Sequence, residues 1–308
     1  MSTAFIFPGQ GSQTIGMLSA LAEQHSSILD TFSTASTALG YDLWDLCQNG
    51  PAEKLGQTEF TQPALLTAGV AVWRVWNELG GAKPEVMAGH SLGEYTALTC
   101  AGAIAFEDAV TLVQDRGRYM QSAVPAGEGA MAAIIGLEDE AVVKACETAS
   151  KNGVIQAVNF NAPGQVVIAG QKSAIDESVD IFKAAGAKRV LPLPVSIPAH
   201  SKLMTPAAEK LRERIASIDV SMPQIPVIHN CNVSIASSKD VVRENLVTQL
   251  DSPVLWVSSI QKMISDHNVT KAIESGPGKV LSGMIKRISK ETATAAVDTP
   301  DAMTAEVA

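Results

Sequence analysis

The chain has 308 residues, of which 46% are hydrophobic and 18% charged, so it can bury a large core and is not a disordered polypeptide. Its net charge of −9 argues against a general nucleic-acid-binding protein, although it leaves room for a local basic patch. Cys47, Cys100, Cys146 and Cys231 lie far apart, which predicts buried thiols in a reducing compartment and neither disulfides nor a zinc site.

The two ends of the sequence carry few signals. The N-terminus has no basic start and no long apolar stretch, so we expect no signal peptide, and no window reaches the length of a membrane helix. We therefore expect a cytoplasmic, monomeric enzyme that binds neither nucleic acid nor membrane. Segment 291–308 lacks aromatic residues and periodicity, so we expect its end to be loose.

Short β-type runs alternate with helical patterns, which predicts an α/β fold with a largely parallel sheet. The first predicted elements are a strand at 4–7, a helix over 63–80 that ends at Gly80, a strand at 85–89, a helix directly after it and a further helix over 106–124. Runs 226–230 and 270–275 predict two more strands of the same sheet.

The middle of the chain follows a different order. Strands are predicted at 129–137, 154–160, 165–170 and 187–195, with helices at 138–150 and 172–186. This β-α-β-β-α-β order is that of a ferredoxin-like unit. We predict a small inserted subdomain at 125–196 within a large α/β domain formed by 1–124 and 197–308.

The sequence Gly89-His90-Ser91-Leu92-Gly93 stands between a predicted strand and a predicted helix. A G-x-S-x-G pattern in this setting is typical of a nucleophile elbow, in which the serine sits on a sharp turn. Glycines flank the serine because the turn leaves no room for side chains, and the helix N-terminus directs N–H groups at developing negative charge. A chance match of common turn residues is the alternative, and the strand–turn–helix order favours the elbow.

A serine hydroxyl needs a base to become a nucleophile, and His200 is the best candidate. It follows a rigid segment that contains Pro192, Pro194 and Pro198, whose fixed φ angles would hold the imidazole in place. A capping or surface histidine is the alternative. No aspartate obviously completes a triad, although a backbone carbonyl could orient the imidazole. The other histidines are expected on a helix surface (His25), supporting the elbow (His90), at a strand end (His229) and in a loop (His267).

An oxyanion formed at Ser91 would need two donors. The backbone N–H of Leu92 is one candidate, and the loop after the first strand, with Gln10 between two glycines, offers the other. A phosphate-binding loop is the competing interpretation of these glycines. It fails because Met17 and Leu18 stand where Lys and Ser/Thr would be required, and the dinucleotide fingerprint fails as well.

Arg116 occupies an unusual position in the helix predicted over 106–124. It shares the apolar face with Leu112 and Met120, so the guanidinium should be buried and should need an anion. The anion could be a core Asp or Glu. It could equally be a substrate carboxylate held by two parallel hydrogen bonds.

Seven segments together resemble the bacterial malonyl-CoA–acyl carrier protein transacylases, in order, from Phe5 to about Lys290. The segments are FIFPGQGSQ, TQPALL, GHSLGEYTAL, RGRYMQ, NFNAPGQVVIAG, LPLPVSIPAH and ESGPGKVL. The resemblance implies a hydrolase-like α/β core with an inserted ferredoxin-like subdomain. It also implies malonyl-CoA and acyl carrier protein as partners, with no bound cofactor and no metal.

The resemblance implies a ping-pong acyl transfer. Ser91 would attack the malonyl thioester with His200 as the base, and the resulting malonyl ester would pass to the phosphopantetheine thiol of the carrier protein. The N–H groups of Gln10 and Leu92 would form the oxyanion hole, and Arg116 would bind the free carboxylate of malonate.

Three further residues carry implied roles. The carbonyl of Gln249 would orient the catalytic imidazole, and Gln62 and Asn161 would line the pocket, although packing or turn capping would explain the last two equally well. Another dicarboxylic acyl group is not excluded. The acidic carrier protein would need a local positive patch. The candidates are Lys188, Arg189, Lys286 and Arg287, for which ordinary solvated charges are the alternative.

Two other functions stay open on the sequence. A serine esterase or thioesterase would hand the acyl group to water, but its histidine should come late in the chain, whereas more than a third of this chain follows His200. A non-catalytic adaptor that keeps the fold would not need both Ser91 and His200.

Overall fold

The computed structural model describes residues 2–307, in which nine strands form two sheets. The strands are β1 (Thr3–Phe7), β2 (Val86–Gly89), β3 (Gly129–Ile135), β4 (Ile155–Ala162), β5 (Gln165–Gln171), β6 (Arg189–Pro192), β7 (Val227–Ile228), β8 (Lys271–Glu274) and β9 (Ala293–Ala296).

The α-helices between them are α1 (Ser19–Gln24), α2 (Ser26–Leu39), α3 (Leu43–Asn49), α4 (Ala52–Leu55), α5 (Thr58–Glu78), α6 (Leu92–Cys100), α7 (Phe106–Ser122), α8 (Asp139–Ala149), α9 (Lys172–Glu177), α10 (Val179–Ala184), α11 (Thr205–Ala216), α12 (Lys239–Thr248), α13 (Trp256–His267), α14 (Val280–Ile288) and α15 (Pro300–Val307). Short 3₁₀ turns cover Ser150–Asn152, Lys202–Met204 and Gln249–Asp251.

The larger sheet has the order β7-β2-β1-β8-β9, and all of its strand pairs are parallel. Its central strand β1 is an apolar run, and Ala4 to Phe7 are fully buried because helices cover both faces. The predicted parallel α/β core is therefore confirmed. The carboxyl ends of β1 and β2 lie side by side, since Phe7 pairs with Gly89, and this places the loop after β1 against the predicted elbow.

Several predicted boundaries shift in the large part of the molecule. The helix predicted over 63–80 begins five residues earlier, at Thr58, and contains Pro63, so the proline does not mark its start. Gly80 does lie just beyond its end, with the positive φ of 78° that favours glycine. His267 is the last residue of α13, so the predicted loop position was wrong.

The smaller sheet is antiparallel, with the order β4-β5-β3-β6, and α8, α9 and α10 pack on one face of it. This is the predicted ferredoxin-like arrangement. The helix predicted over 172–186 is divided at Ser178, whose hydroxyl donates to the carbonyl of Ile175 at 2.7 Å, and β6 is shorter than predicted. The boundaries at 125 and 196 stay a prediction.

The C-terminal segment is ordered, so the predicted loose end was wrong. β9 extends the large sheet by pairing with β8, and α15 follows it. Val297 and Met303 are fully buried in the main core, and Glu306 forms an ion pair with Lys271. The local sequence of this segment shows no periodicity. Its order comes from two buried side chains and from the pairing of one strand.

The four cysteines carry free thiols, as expected, but their burial is only partly as predicted. Cys47 and Cys146 are buried in the two cores, whereas Cys100, at the end of α6, and Cys231, in the loop after β7, are half-buried. Within residues 2–307, no helix is both long enough and apolar enough to cross a membrane.

The buried tail generates a stability prediction. Met303→Ala should lower the free energy of unfolding by about 2–5 kcal/mol, because it removes a fully buried side chain and leaves a cavity. Met222→Ala is the matched control, since Met222 is 46% exposed and should change stability by less than about 0.5 kcal/mol. Urea denaturation measures both variants, and equal values would mean that the tail contributes nothing to the fold.

Candidate active site

Ser91 stands on the sharp turn between β2 and α6. Its φ of 52° and ψ of −107° are strained for a residue with a side chain. The turn is so tight that a Cβ on Gly89 would lie 1.9 Å from the backbone of Gly93, and a Cβ on Gly93 would lie 2.0 Å from the carbonyl oxygen of Phe7. Only glycine fits at these two places, which is the packing that the G-x-S-x-G pattern predicts.

Ser91 and His200 lie in direct contact. The serine Oγ is 2.8 Å from Nε2 of His200, and Nδ1 of His200 is 2.7 Å from the carbonyl oxygen of Gln249. A carbonyl can only accept, so Nδ1 carries the proton and Nε2 is left with a lone pair that faces the hydroxyl. The structure thus brings together the three groups that the sequence analysis combined, with a backbone carbonyl at the position where a triad would have an aspartate.

The imidazole of His200 is held neutral. Burial lowers its pKa to about 3, and the positive charge of Arg116 acts in the same direction. The ring is therefore unprotonated at neutral pH and can accept a proton from Ser91.

Arg116 is buried on α7, as predicted, and all of its hydrogen bonds go to neutral groups. Nη1 donates to Oε1 of Gln62 at 2.8 Å, and Nη2 donates to Oε1 of Gln249 at 3.0 Å and to Oγ of Ser91 at 3.1 Å. The guanidinium also stacks over Tyr95, 5.0 Å from the ring centre. No ion pair among residues 2–307 includes it, and burial lowers its pKa. It is a cation in the core without a carboxylate in contact.

The two predicted oxyanion donors lie near Ser91. Leu92 is the first residue of α6, so its N–H has no partner within the helix. The loop that carries Gln10 packs on the elbow, because a Cβ on the preceding Gly9 would lie 2.6 Å from the carbonyl oxygen of His90. Neither N–H has an acceptor within the described part of the chain.

Ser91 opens into a cavity of about 520 Å³ between the two sheets. Its lining includes Gln10, Gln62, Ser91, Arg116, Asn161 and His200. Asn161 comes from β4 of the small sheet, and its Oδ1 lies 2.8 Å from Nε2 of His90. His90 thus contacts the small sheet, which closes the cavity. No three His, Cys, Asp or Glu side chains of residues 2–307 could together hold a metal ion.

The sequence analysis missed a buried polar network behind the elbow. Glu94 on α6 is fully buried and accepts from Nδ1 of His229 at 2.7 Å, from the N–H of Asn230 at 2.9 Å and from Nε2 of Gln249 at 2.7 Å. Oδ1 of Asn230 also accepts a hydrogen bond of 2.7 Å from the N–H of Ser91. The signal was present, because Glu94 is the one charged residue in α6, a helix that has no polar face.

The remaining histidines take no part in the site. His229 is at the end of β7, as predicted, but is buried against Glu94. His25 lies between α1 and α2 and is half-buried, not on a helix surface, and His267 ends α13.

Comparison with known proteins decides the family. The model of the acyl transferase domain matches residues 4–303. The chain is 55% identical to the malonyl CoA-acyl carrier protein transacylase of Escherichia coli K12, over 98% of this chain and 97% of that protein. This chain belongs to the acyl transferase family. The family resemblance found in the sequence is therefore confirmed.

Solved structures of acyl transferases agree with the fold. The malonyl CoA-acyl carrier protein transacylase of Coxiella burnetii superposes with a TM-score of 0.98 at 49% identity, covering 100% of this chain and 97% of that one. A malonyl-transacylase in complex with its type II PKS acyl-carrier protein superposes with a TM-score of 0.98 at 50% identity, covering 100% and 99% of the two chains.

The tight elbow of this acyl transferase generates a second prediction. Gly93→Ala should abolish acyl transfer and lower stability, because the added methyl group meets the backbone of Phe7 and forces α6 away from β1. Gly283→Ala is the control. Gly283 lies in α14 with open space around its Cα, so alanine there should leave activity unchanged and raise stability by about 0.5–1 kcal/mol. If Gly93→Ala keeps full activity, the turn does not fix the position of Ser91.

Proposed function

We propose that this chain transfers the malonyl group of malonyl-CoA to the phosphopantetheine thiol of acyl carrier protein, and so supplies malonyl-carrier protein for fatty-acid biosynthesis. One observation carries the proposal. The hydroxyl of Ser91 lies 2.8 Å from a neutral imidazole and 3.1 Å from a buried guanidinium, so a base and a carboxylate-binding cation meet at one nucleophile. The activity named for the relatives agrees with this chemistry.

The first half-reaction follows from the geometry. Nε2 of His200 takes the proton of Ser91 while Oγ attacks the thioester carbonyl. The N–H groups of Leu92 and Gln10 are the donors for the oxyanion of the tetrahedral intermediate. When the C–S bond breaks, the coenzyme A thiolate takes the proton from His200 and leaves a malonyl ester on Ser91.

The second half-reaction repeats these steps with the carrier protein. The phosphopantetheine thiol gives its proton to His200 and attacks the ester, and Ser91 recovers the proton as it leaves. The carbonyl of Gln249 keeps Nδ1 protonated in both halves, so the same nitrogen, Nε2, exchanges protons each time. No external cofactor enters this balance.

Arg116 selects substrates that carry a free carboxylate. Its guanidinium is already fixed by Gln62 and Gln249, and it faces the same cavity as Ser91. A malonyl carboxylate would replace the 3.1 Å hydrogen bond between Nη2 and the serine hydroxyl and would give the buried cation an anion. Other dicarboxylic acyl groups of suitable length would satisfy the same clamp.

Four basic residues form the proposed docking surface for the acidic carrier protein. All four are exposed. Lys188 directly precedes β6, Arg189 is its first residue, and Lys286 and Arg287 lie in α14. Nη2 of Arg287 donates to the carbonyl of Pro163, and Lys188 lies over Gly136, which itself pairs with Gly164. These contacts gather the two pairs at one end of the small sheet, which supports a single surface.

The proposed function predicts a covalent intermediate. Incubation with malonyl-CoA alone should place one malonyl group on the peptide that contains Ser91, as read by mass spectrometry, and addition of holo-carrier protein should remove it. Ser91→Ala should form no ester and should keep its fold. A stable malonyl ester on that variant would move the nucleophile elsewhere, and loss of the ester to water at the same rate without carrier protein would indicate a hydrolase.

The carboxylate clamp predicts a change of selectivity. Arg116→Ala should lower malonyl transfer by at least about ten- to hundredfold, because a charge-assisted pair contributes about 1.5–3 kcal/mol. Acetyl transfer should change little, since the acetyl group has no carboxylate. Arg118→Ala is the control on the same helix, because the Arg118 side chain is 53% exposed and pairs with Glu59 at the surface. The measured quantity is the ratio of malonyl to acetyl transfer, and an equal loss of both would make Arg116 a structural residue.

A further inference from the structure

Glu94 is a buried carboxylate that the transfer chemistry does not use. It lies on α6 one turn after Ser91 and is fully buried, and its two oxygens accept from His229, Asn230 and Gln249. Asn230 N–H and the Gln249 amide can only donate to it. All of these contacts are ones that an ionised carboxylate can accept.

The negative charge of Glu94 is not cancelled by His229. One neutral tautomer of His229 suffices to donate from Nδ1 to Glu94. Nε2 of His229 is buried without a hydrogen-bond partner among the described residues. A protonated ring would therefore bury a charged N–H with no acceptor, which is costly. The charge of Glu94 is thus left to be balanced by another cation.

Gln249 connects this carboxylate to Arg116. Its Oε1 accepts from Nη2 of Arg116 at 3.0 Å, while its Nε2 donates to Oε2 of Glu94 at 2.7 Å and to the carbonyl of Ser91 at 3.1 Å. Only one orientation of the carboxamide satisfies these contacts, because the oxygen must face the guanidinium and the nitrogen must face the two acceptors. The result is a buried series of cation, amide and anion.

We propose that Glu94 is the counter-charge of Arg116 in the empty enzyme and a positioning residue for recognition of the substrate carboxylate, acting through the carboxamide of Gln249. The inference rests on the proposed function. A direct ion pair between Glu94 and Arg116 would occupy the guanidinium and compete with malonate. With one amide in between, the cation keeps an anion nearby and still presents N–H groups to the cavity.

Two effects of opposite sign follow for Glu94→Gln. The new side chain has the same shape, and its oxygen and nitrogen can keep the existing hydrogen bonds if His229 changes tautomer, so the substitution removes mainly charge. The empty enzyme should become less stable, because Arg116 loses its counter-charge. The substrate carboxylate should bind more tightly, because Glu94 no longer repels it.

The test measures ligand binding without turnover. In a Ser91→Ala background, the dissociation constants of malonyl-CoA and acetyl-CoA are measured by calorimetry with and without Glu94→Gln. We expect malonyl-CoA to bind about ten- to thirtyfold more tightly, the effect of one charge about 8–12 Å away at an effective dielectric constant of about 20. Acetyl-CoA binding should stay unchanged. The melting temperature without ligand should fall, and malonyl-CoA should raise it more than in the parent protein.

Glu274→Gln is the matched control. Glu274 is also a fully buried carboxylate, but its oxygens accept from the N–H groups of Leu281 and Ser282 and have no link to Arg116. The substitution Glu274→Gln should lower the melting temperature and leave the preference for malonyl-CoA over acetyl-CoA unchanged. The stability loss of Glu94→Gln should also shrink in an Arg116→Ala background, since the charge that it balances is then absent.

The outcomes separate the proposals. If Glu94→Gln weakens both coenzyme A esters equally, or if its stability loss is the same with and without Arg116, then Glu94 only supports the elbow and this inference is wrong. If the Ser91→Ala parent itself does not prefer malonyl-CoA to acetyl-CoA, the proposed function fails instead.

Should Glu94→Gln not fold, Gln249→Met breaks the same series and keeps the backbone carbonyl for His200. It should then reduce the preference for malonyl-CoA, and an unchanged preference would overturn the inference.

Discussion

The guanidinium of Arg116 is the interaction on which the site depends. A cation with 1% exposure and only neutral hydrogen-bond partners is expensive to bury, and the fold tolerates it because Gln62, Gln249 and Ser91 accept from its two terminal nitrogens. The same charge helps to keep the pKa of His200 low, so the base is neutral before a substrate arrives. An incoming carboxylate would relieve the cost of the buried charge. If Arg116 binds the substrate carboxylate as proposed, recognition of the substrate and activation of the nucleophile are two effects of one buried positive charge.

Gln249 joins the two halves of the site through different parts of one residue. Its backbone carbonyl accepts from Nδ1 of His200, and its side chain accepts from Arg116. A shift of the 3₁₀ turn Gln249–Asp251 would move both partners together. A carbonyl also differs from the aspartate of a triad, because it orients the imidazole without adding a negative charge beside it. The negative charge of Glu94 lies on the other side of the Gln249 side-chain amide.

Local sequence patterns predicted the parts of the site that depend on local geometry. The elbow at Ser91 and the buried position of Arg116 follow from glycine spacing and helical periodicity, which a single sequence shows. The partner of His200 could not be derived in this way, because every residue has a backbone carbonyl and the residue type does not show which one is used. Only the family resemblance pointed to Gln249. The ordered tail was missed for a related reason, because Met303 is fixed by packing on a distant core and not by its neighbours in sequence.

The backbone is strained at two residues of the site, and rigid surroundings hold it there. Ser91 and His200 both have positive φ angles, 52° and 64°, in which a side chain is unfavourable. Such conformations persist only when the surroundings determine them. At Ser91 the N–H is bound by Asn230 and Gly93 packs on the backbone of Phe7 in β1, while at His200 the ring is fixed at both nitrogens. The contacts that impose the strain are the same ones that align hydroxyl, base and orienting carbonyl. Relaxing either backbone would therefore separate the reacting atoms. The geometry needed for acyl transfer thus requires that both residues stay in an unfavourable conformation.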